Sequence, residues 1–382
     1  MIRKSDVQWW IQEVRRNPDA APELVEMLAD RLMELDLENE RLRDELVGLR
    51  RGAPLTTADS GHVTRLQQQV AALQDVIKGQ ASAEAALIFI SDRGQALRMP
   101  LSRARILLRE KQPALDRSAV LSLRSLVFVR PHEAVLMLTN TGRVARILPH
   151  QVPFLLETGG WLAEHDDEHR AINLDPGERV AVAVALPEPP RFWTVVTRRG
   201  FARQFLHALL DPHIADRRPV IKTDMAGDEP IAMVNGDRGD LMMITRWGHA
   251  LRFPHHTVMG PGTIALTMEP DDEVATALSL PDEAEVLLVT ASGMALRREG
   301  SACKRHTKPG SSGAPFIQAF DVLASLPYAA RGALLFLTFA GKLVCSPVAD
   351  VPLQTRLSKG SQLRPMVNHP AVAVAWVPGA LL

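Results

Sequence analysis

The sequence holds only two cysteines, Cys303 and Cys345, among its 382 residues. That number excludes a disulfide framework and every multi-cysteine zinc spacing. No apolar run approaches the ~18 residues that a membrane-crossing helix needs, so no membrane partner is expected. The opening Met1-Ile2-Arg3-Lys4-Ser5-Asp6 lacks the apolar core of a secretory leader, and a cytoplasmic protein is the expectation. Catalytic signatures are missing too: there is no Gly-rich phosphate loop and no Gly-x-Ser-x-Gly nucleophile turn. The single tyrosine, Tyr328, falls between repeats and reads as a half-buried structural residue. The run Glu164-His165-Asp166-Asp167-Glu168-His169 reads as a solvated polar connection, and His255-His256 as a surface pair at a hairpin end. No enzyme, cofactor or metal site is read. A charge excess is also lacking, with 44 Lys and Arg against 44 Asp and Glu. Residues 1–83 carry 11 cations against 14 acids, and residues 84–382 carry 33 against 30. A surplus of three spread over the second part is small beside the basic footprint expected of a nucleic-acid binder.

What the first 83 residues do have is heptad spacing. With Val25 at position a, the a positions are Val25, Leu32, Asn39 and Leu46, and the d positions are Leu28, Leu35, Leu42 and Leu49. Leucine at every d makes a continuous seam, and one buried Asn at a fixes register and strand number. In a parallel pair the g and e positions oppose Arg31 to Asp36, Glu38 to Arg43 and Glu45 to Arg50, each of opposite sign. A parallel homodimer is therefore expected, with a long helix packed on its own domain, or a helical hairpin, as the alternative. Gly52 and Pro54 open a break over 51–61, and a second seam follows in Val63, Leu66, Val70, Leu73 and Ile77.

The rest of the chain is repetitive. Six times an apolar run is followed by Ser or Thr, two variable residues, a Gly and a second alternating run, with the glycines at 94, 142, 200, 248, 293 and 341. The spacing of 45–58 residues is that of a propeller blade rather than of a helical solenoid. Each copy reads as a β-hairpin in which the Gly supplies positive φ and the Ser or Thr bonds local amides. A further β-rich stretch separates most hairpins, as in Val180-Ala181-Val182-Ala183-Val184. Four strands per blade is the economical count. The expected architecture is mainly β, a six-bladed β-propeller over 84–382 behind an N-terminal α-helical coiled coil over 1–83.

The hairpin pattern is clearest in Thr139-Asn140-Thr141-Gly142-Arg143-Val144-Ala145-Arg146 and Thr197-Arg198-Arg199-Gly200-Phe201-Ala202-Arg203. It resembles the repeat of the gyrase A C-terminal domain and of its topoisomerase IV relative. The resemblance implies a β-pinwheel whose basic outer rim bends double-stranded DNA, with no catalytic role. The positions it implies for phosphate contact are Arg98, Arg143, Arg146, Arg203, Arg252, Arg297, Arg298 and Lys342; Lys304, Arg305 and Lys308, of a basic loop that does not match the family's, are expected to join them. The gyrase A box, a Gln-Arg-Arg-Gly-Gly-Lys-Gly-like loop, is absent; Lys304 to Gly310 and Ser358-Lys359-Gly360 are the nearest basic loops. Two functions stay open: sequence-independent DNA binding or wrapping by a dimer at the nucleoid, or a protein-interaction scaffold or topoisomerase modulator that has lost DNA binding.

Overall fold

The computed structural model describes residues 84–155, 161, 171–222, 225, 227–237, 239–367 and 369–379. The heptad seams and the run 164–169 lie outside the described residues. Six antiparallel sheets follow one another along the chain, one per repeat. Each apolar run is the central strand of its blade: Ala86–Ser91, Ala134–Thr139, Phe192–Thr197, Asp240–Thr245, Glu285–Thr290 and Gly332–Thr338. On one side it pairs with the strand after its turn, the third strand counted outward from the channel, as Ala86–Ser91 does with Ala96–Pro100. On the other side it pairs with the β-rich stretch that follows in the chain. These innermost strands are Leu123–Val129, Val180–Leu186, Pro230–Asn235, Val274–Leu280, Val322–Pro327 and Ala371–Pro378. Each innermost strand neighbours the next, and the last lies against the first, so the ring is closed. All six contribute to the lining of a central channel of about 470 Å³.

Local chemistry explains the hairpins. In all six, the Ser or Thr oxygen at the end of the central strand accepts the backbone N–H four residues on, at 3.0–3.2 Å. The same residue is the point where pairing with the innermost strand shifts register. The side chain thus supplies an acceptor where the ladder is interrupted, as buried backbone donors require.

Each central strand buries both faces, which is why its sequence is a continuous apolar run rather than an alternating one. Leu87 and Phe89 pack toward blade 6, whereas Ile88 and Ile90 pack toward blade 2. The core is consequently six clusters, each between two neighbouring blades, and the cluster joining blades 6 and 1 is built like the other five. Every fully buried Leu or Phe contributes roughly 1.5–3 kcal/mol there.

The chain between the third strand of a repeat and its innermost strand leaves the blade and lies on the edge of the blade before it. Short strands Thr263–Ile264, Ala314–Pro315 and Ser361–Gln362 thereby become the fourth strands of blades 3, 4 and 5. The expected four strands occur in those blades. Among the described residues, blades 1, 2 and 6 have three, with the crossing segment docked by isolated hydrogen bonds. The end of each crossing segment sits on the neighbour's turn glycine: Ile172 on Gly94, Ile221 on Gly142, Leu266 on Gly200, Ile317 on Gly248, Met366 on Gly293 and Leu115 on Gly341. The last of these closes the ring, because Leu115 belongs to the first repeat and Gly341 to the sixth.

The first crossing segment alone contains a helix longer than two turns, α1 (Leu101–Glu110), among the described residues. Leu101, Ala104 and Leu107 bury one stripe of it, and Lys111 ends it in the left-handed region. Helix α2 (Arg117–Ser122) follows, its first turn capped by Asp116 accepting from the Ala119 N–H at 2.7 Å.

Candidate nucleic-acid interface

Most of the arginines after the turn glycines face inward to other parts of the ring. Arg98 is 2% exposed, and its guanidinium lies 4.1 Å over the Phe154 ring. Burial pulls its pKa below the ordinary guanidinium value. Arg252 is 7% exposed and donates to Asp240 at 2.7 Å. These two positions are therefore corrected: as placed, neither is open to a phosphate. The cause is the crossing segment, which pairs in parallel with the third strand at this point. Arg98 is bridged to Phe154, Arg252 to Arg305 and Arg297 to Leu353.

Other members of the set are held by partners. Arg143 forks onto Glu178, whose buried carboxylate also accepts from Thr141 and from the Asp175 N–H. Burial works against that carboxylate, yet these bonds bring its pKa down to about 2. Arg203 donates to the Gly260 and Val220 carbonyls at 2.8 and 2.7 Å. Arg297 is paired with Glu285 and lies 3.7 Å over Tyr328, which is half-buried as expected. Arg298 donates to the Phe316 carbonyl at 2.8 Å. Arg146 is exposed but paired with Asp211 at 2.9 Å, and the half-exposed Arg305 forks onto Asp240. Burial raises the Asp240 pKa, and the two guanidiniums outweigh it and lower it.

Lys304, Lys308 and Lys342 remain exposed with no ion pair among the described residues. The crossing segments add cations that the post-glycine pattern does not reach. Arg109, Lys111, Arg356, Lys359 and Arg364 are likewise exposed and unpaired among the described residues. Their signal is present in the sequence only once charges are counted segment by segment. The expected surface pair His255-His256 is half right: His256 is exposed, whereas His255 is 2% exposed with Nδ1 3.0 Å from the Thr194 oxygen. No cluster of metal-ligating side chains occurs among the described residues.

The solved structure of the DNA gyrase A C-terminal domain superposes with a TM-score of 0.60 at 15% identity, covering 77% of this chain and 99% of that one. The fold is that of the gyrase A C-terminal domain. Residues 85–109 match the family model for the DNA gyrase C-terminal domain, beta-propeller. The C-terminal domain of DNA topoisomerase IV is a second structural neighbour of this gyrase-type propeller, with a TM-score of 0.52 at 16% identity over 78% of this chain and 94% of that one. In sequence, the DNA gyrase A protein of Chlamydia muridarum (strain MoPn / Nigg) is 28% identical over 204 residues, 49% of this chain and 24% of that protein. The DNA gyrase A protein of Staphylococcus aureus (strain MRSA252) is 26% identical over 263 residues, 62% of this chain and 28% of that protein. The chain thus spans about a quarter of the length of these curated relatives.

Proposed function

We propose that this propeller binds double-stranded DNA through phosphate contacts along its outer edge, without reading sequence and without chemistry of its own. The observation that carries the reading is the set of exposed, unpaired cations on a gyrase-type ring: Lys304, Lys308, Arg356, Lys359 and Arg364 on the crossing segments, with Lys342 at the hairpin turn of blade 6. Such contacts fix position and supply salt-sensitive affinity with no base specificity. Residues 25–49 and 63–77, as a parallel coiled coil, would set two rings on one duplex and raise the effective concentration of the second. A nucleoid location in the cytoplasm follows from that reading.

The test uses the full chain on a closed circular plasmid relaxed by a topoisomerase in its presence. If DNA is wrapped, supercoils remain after the protein is removed; if it is only bound, the plasmid relaxes fully while a labelled duplex still binds at low salt. No binding of a ~40 bp duplex at ~50 mM salt, where phosphate contacts show strongly, refutes the reading. Sedimentation equilibrium reads the dimer directly.

A second reading, a scaffold or a modulator of a topoisomerase, draws support from one feature. Phe320 is 72% exposed and Leu121 69%, both just ahead of innermost strands at the end of the ring that carries the hairpin turns. Single exposed apolars are ordinary, and two such large ones at one end suit a protein partner.

A further inference from the structure

The outer-edge cations are not spread around the ring. The topology places each crossing segment between two blades, so charge can be counted segment by segment from the end of the third strand to the residue seated on the neighbour's glycine. The first segment, 101–115, holds four Lys and Arg against one acid. The fifth, 300–317, holds three against none, and the sixth, 348–366, three against one. Of the other three, 148–172 holds one cation against five acids by sequence, all of them outside the described residues, 207–221 two against two, and 255–266 no Lys, Arg, Asp or Glu at all. The segments numbered five, six and one are consecutive, because the first lies on blade 6, where Pro113 bridges Lys342. Together they carry ten cations against two acids, whereas the other three carry three against seven.

We infer that DNA lies along half of the edge only, an arc running from the edge of blade 4 across blades 5 and 6 to α1, and leaves the ring beyond α1. This rests on the DNA-binding reading above. The arc is built of side chains able to move to a phosphate. Lys304, Lys308, Arg356, Lys359, Arg364 and Arg109 are all exposed and free of ion pairs among the described residues. The two cations of the third segment are both paired, Arg217 with Asp175 at 2.6 Å and Arg218 with Asp216 at 3.4 Å. A duplex that follows the edge loses attraction once it passes either end of the arc. Screening at ordinary salt, with a Debye length of about 8–10 Å, prevents the arc from holding it beyond that point.

The experiment is a salt titration of duplex binding by the full chain, comparing Lys304→Gln/Lys308→Gln and Lys359→Gln/Arg364→Gln with Arg217→Gln/Arg218→Gln. All six side chains are exposed, so folding is checked by thermal unfolding rather than assumed. Removing one phosphate-binding cation from the arc should lower the slope of log K against log salt by about 0.9, or about 3.5-fold in affinity across a fourfold change in salt. The Arg217/Arg218 variant should keep the wild-type slope. Equal weakening by variants of both halves overturns the arc while leaving DNA binding intact. No binding by the wild-type chain overturns the DNA-binding reading and the arc with it.

Discussion

Replacing Gly341 by Ala should open the ring at its closing joint, and the cost can be worked from the contacts. Gly341 has φ +75°, and a Cβ built there would stand 1.9 Å from the Leu115 carbonyl oxygen. The left-handed conformation alone costs an L-residue roughly 1–2 kcal/mol. Relieving the overlap means moving backbone, since the obstacle is a carbonyl and not a flexible side chain. The movement weakens the hydrogen bonds that the Gly341 carbonyl accepts from the Ala114 and Leu115 N–H groups at 2.7 and 3.2 Å. Each is worth roughly 0.5–1.5 kcal/mol, so Gly341→Ala should destabilise by about 2–5 kcal/mol. Gly177 is the internal control: its φ is +78°, and nothing lies within 4 Å of a Cβ there. Gly177→Ala should therefore cost only the conformational ~1–2 kcal/mol. Urea unfolding of both full-length variants measures the difference, and amide exchange over residues 113–123 locates it. Equal destabilisation of the two variants, or unchanged protection of 113–123 in Gly341→Ala, would refute docking of the first repeat on the sixth as the closing contact.

Two further outcomes are expected. Burial drops the His255 pKa from 6.5 to about 4. The unfolded chain therefore takes up a proton below pH 6.5 that the folded ring refuses, and stability falls as pH drops from 6.5 to 4, by at most roughly 3 kcal/mol. Urea midpoints across that window should show the slope in wild type and lose it in His255→Asn; an unchanged slope would assign it elsewhere. Asp240→Asn removes the carboxylate facing the buried Arg252 and should cost about 3–5 kcal/mol. Adding Arg252→Met should recover much of that loss in a double-mutant cycle, whereas strictly additive losses would mean that the pair is not coupled.

The ring was legible in the sequence because its building rule is local. A Ser or Thr oxygen that accepts an amide four residues on, and a glycine that turns the chain, act within one hairpin, so six copies at a blade-like period announce six hairpins. The apolar runs were readable for the same reason: Leu87 to Ile90 bury both faces whatever the neighbouring blade contributes. The closure was not readable, nor was it readable that the expected fourth strand forms in blades 3, 4 and 5 alone among the described residues, because both depend on where one repeat's crossing segment lands on another. The same blind spot misplaced the arginines. Arg98 and Arg252 stand on a strand edge that looks open within their own repeat, and it is the next repeat's segment that covers them. His255 is buried by the same kind of distant contact, against Thr194 of the preceding blade.

That covering also changes which residues can be read as an interface. A residue type that recurs at the same place in each hairpin meets much the same surroundings in each blade, and here those surroundings are the neighbour's segment. A recurring Arg is thus placed to bond carbonyls, carboxylates and rings inside the structure, as Arg203, Arg143 and Arg297 do. The crossing segments differ in length, helix content and charge, so any preference of the ring for a partner resides in what does not repeat. Total charge is then the wrong measure of whether the propeller can meet DNA. A duplex within a Debye length of the edge feels the nearest segments and little else. A surplus of three over residues 84–382 conceals three consecutive crossing segments, the fifth, sixth and first, with ten cations against two acids.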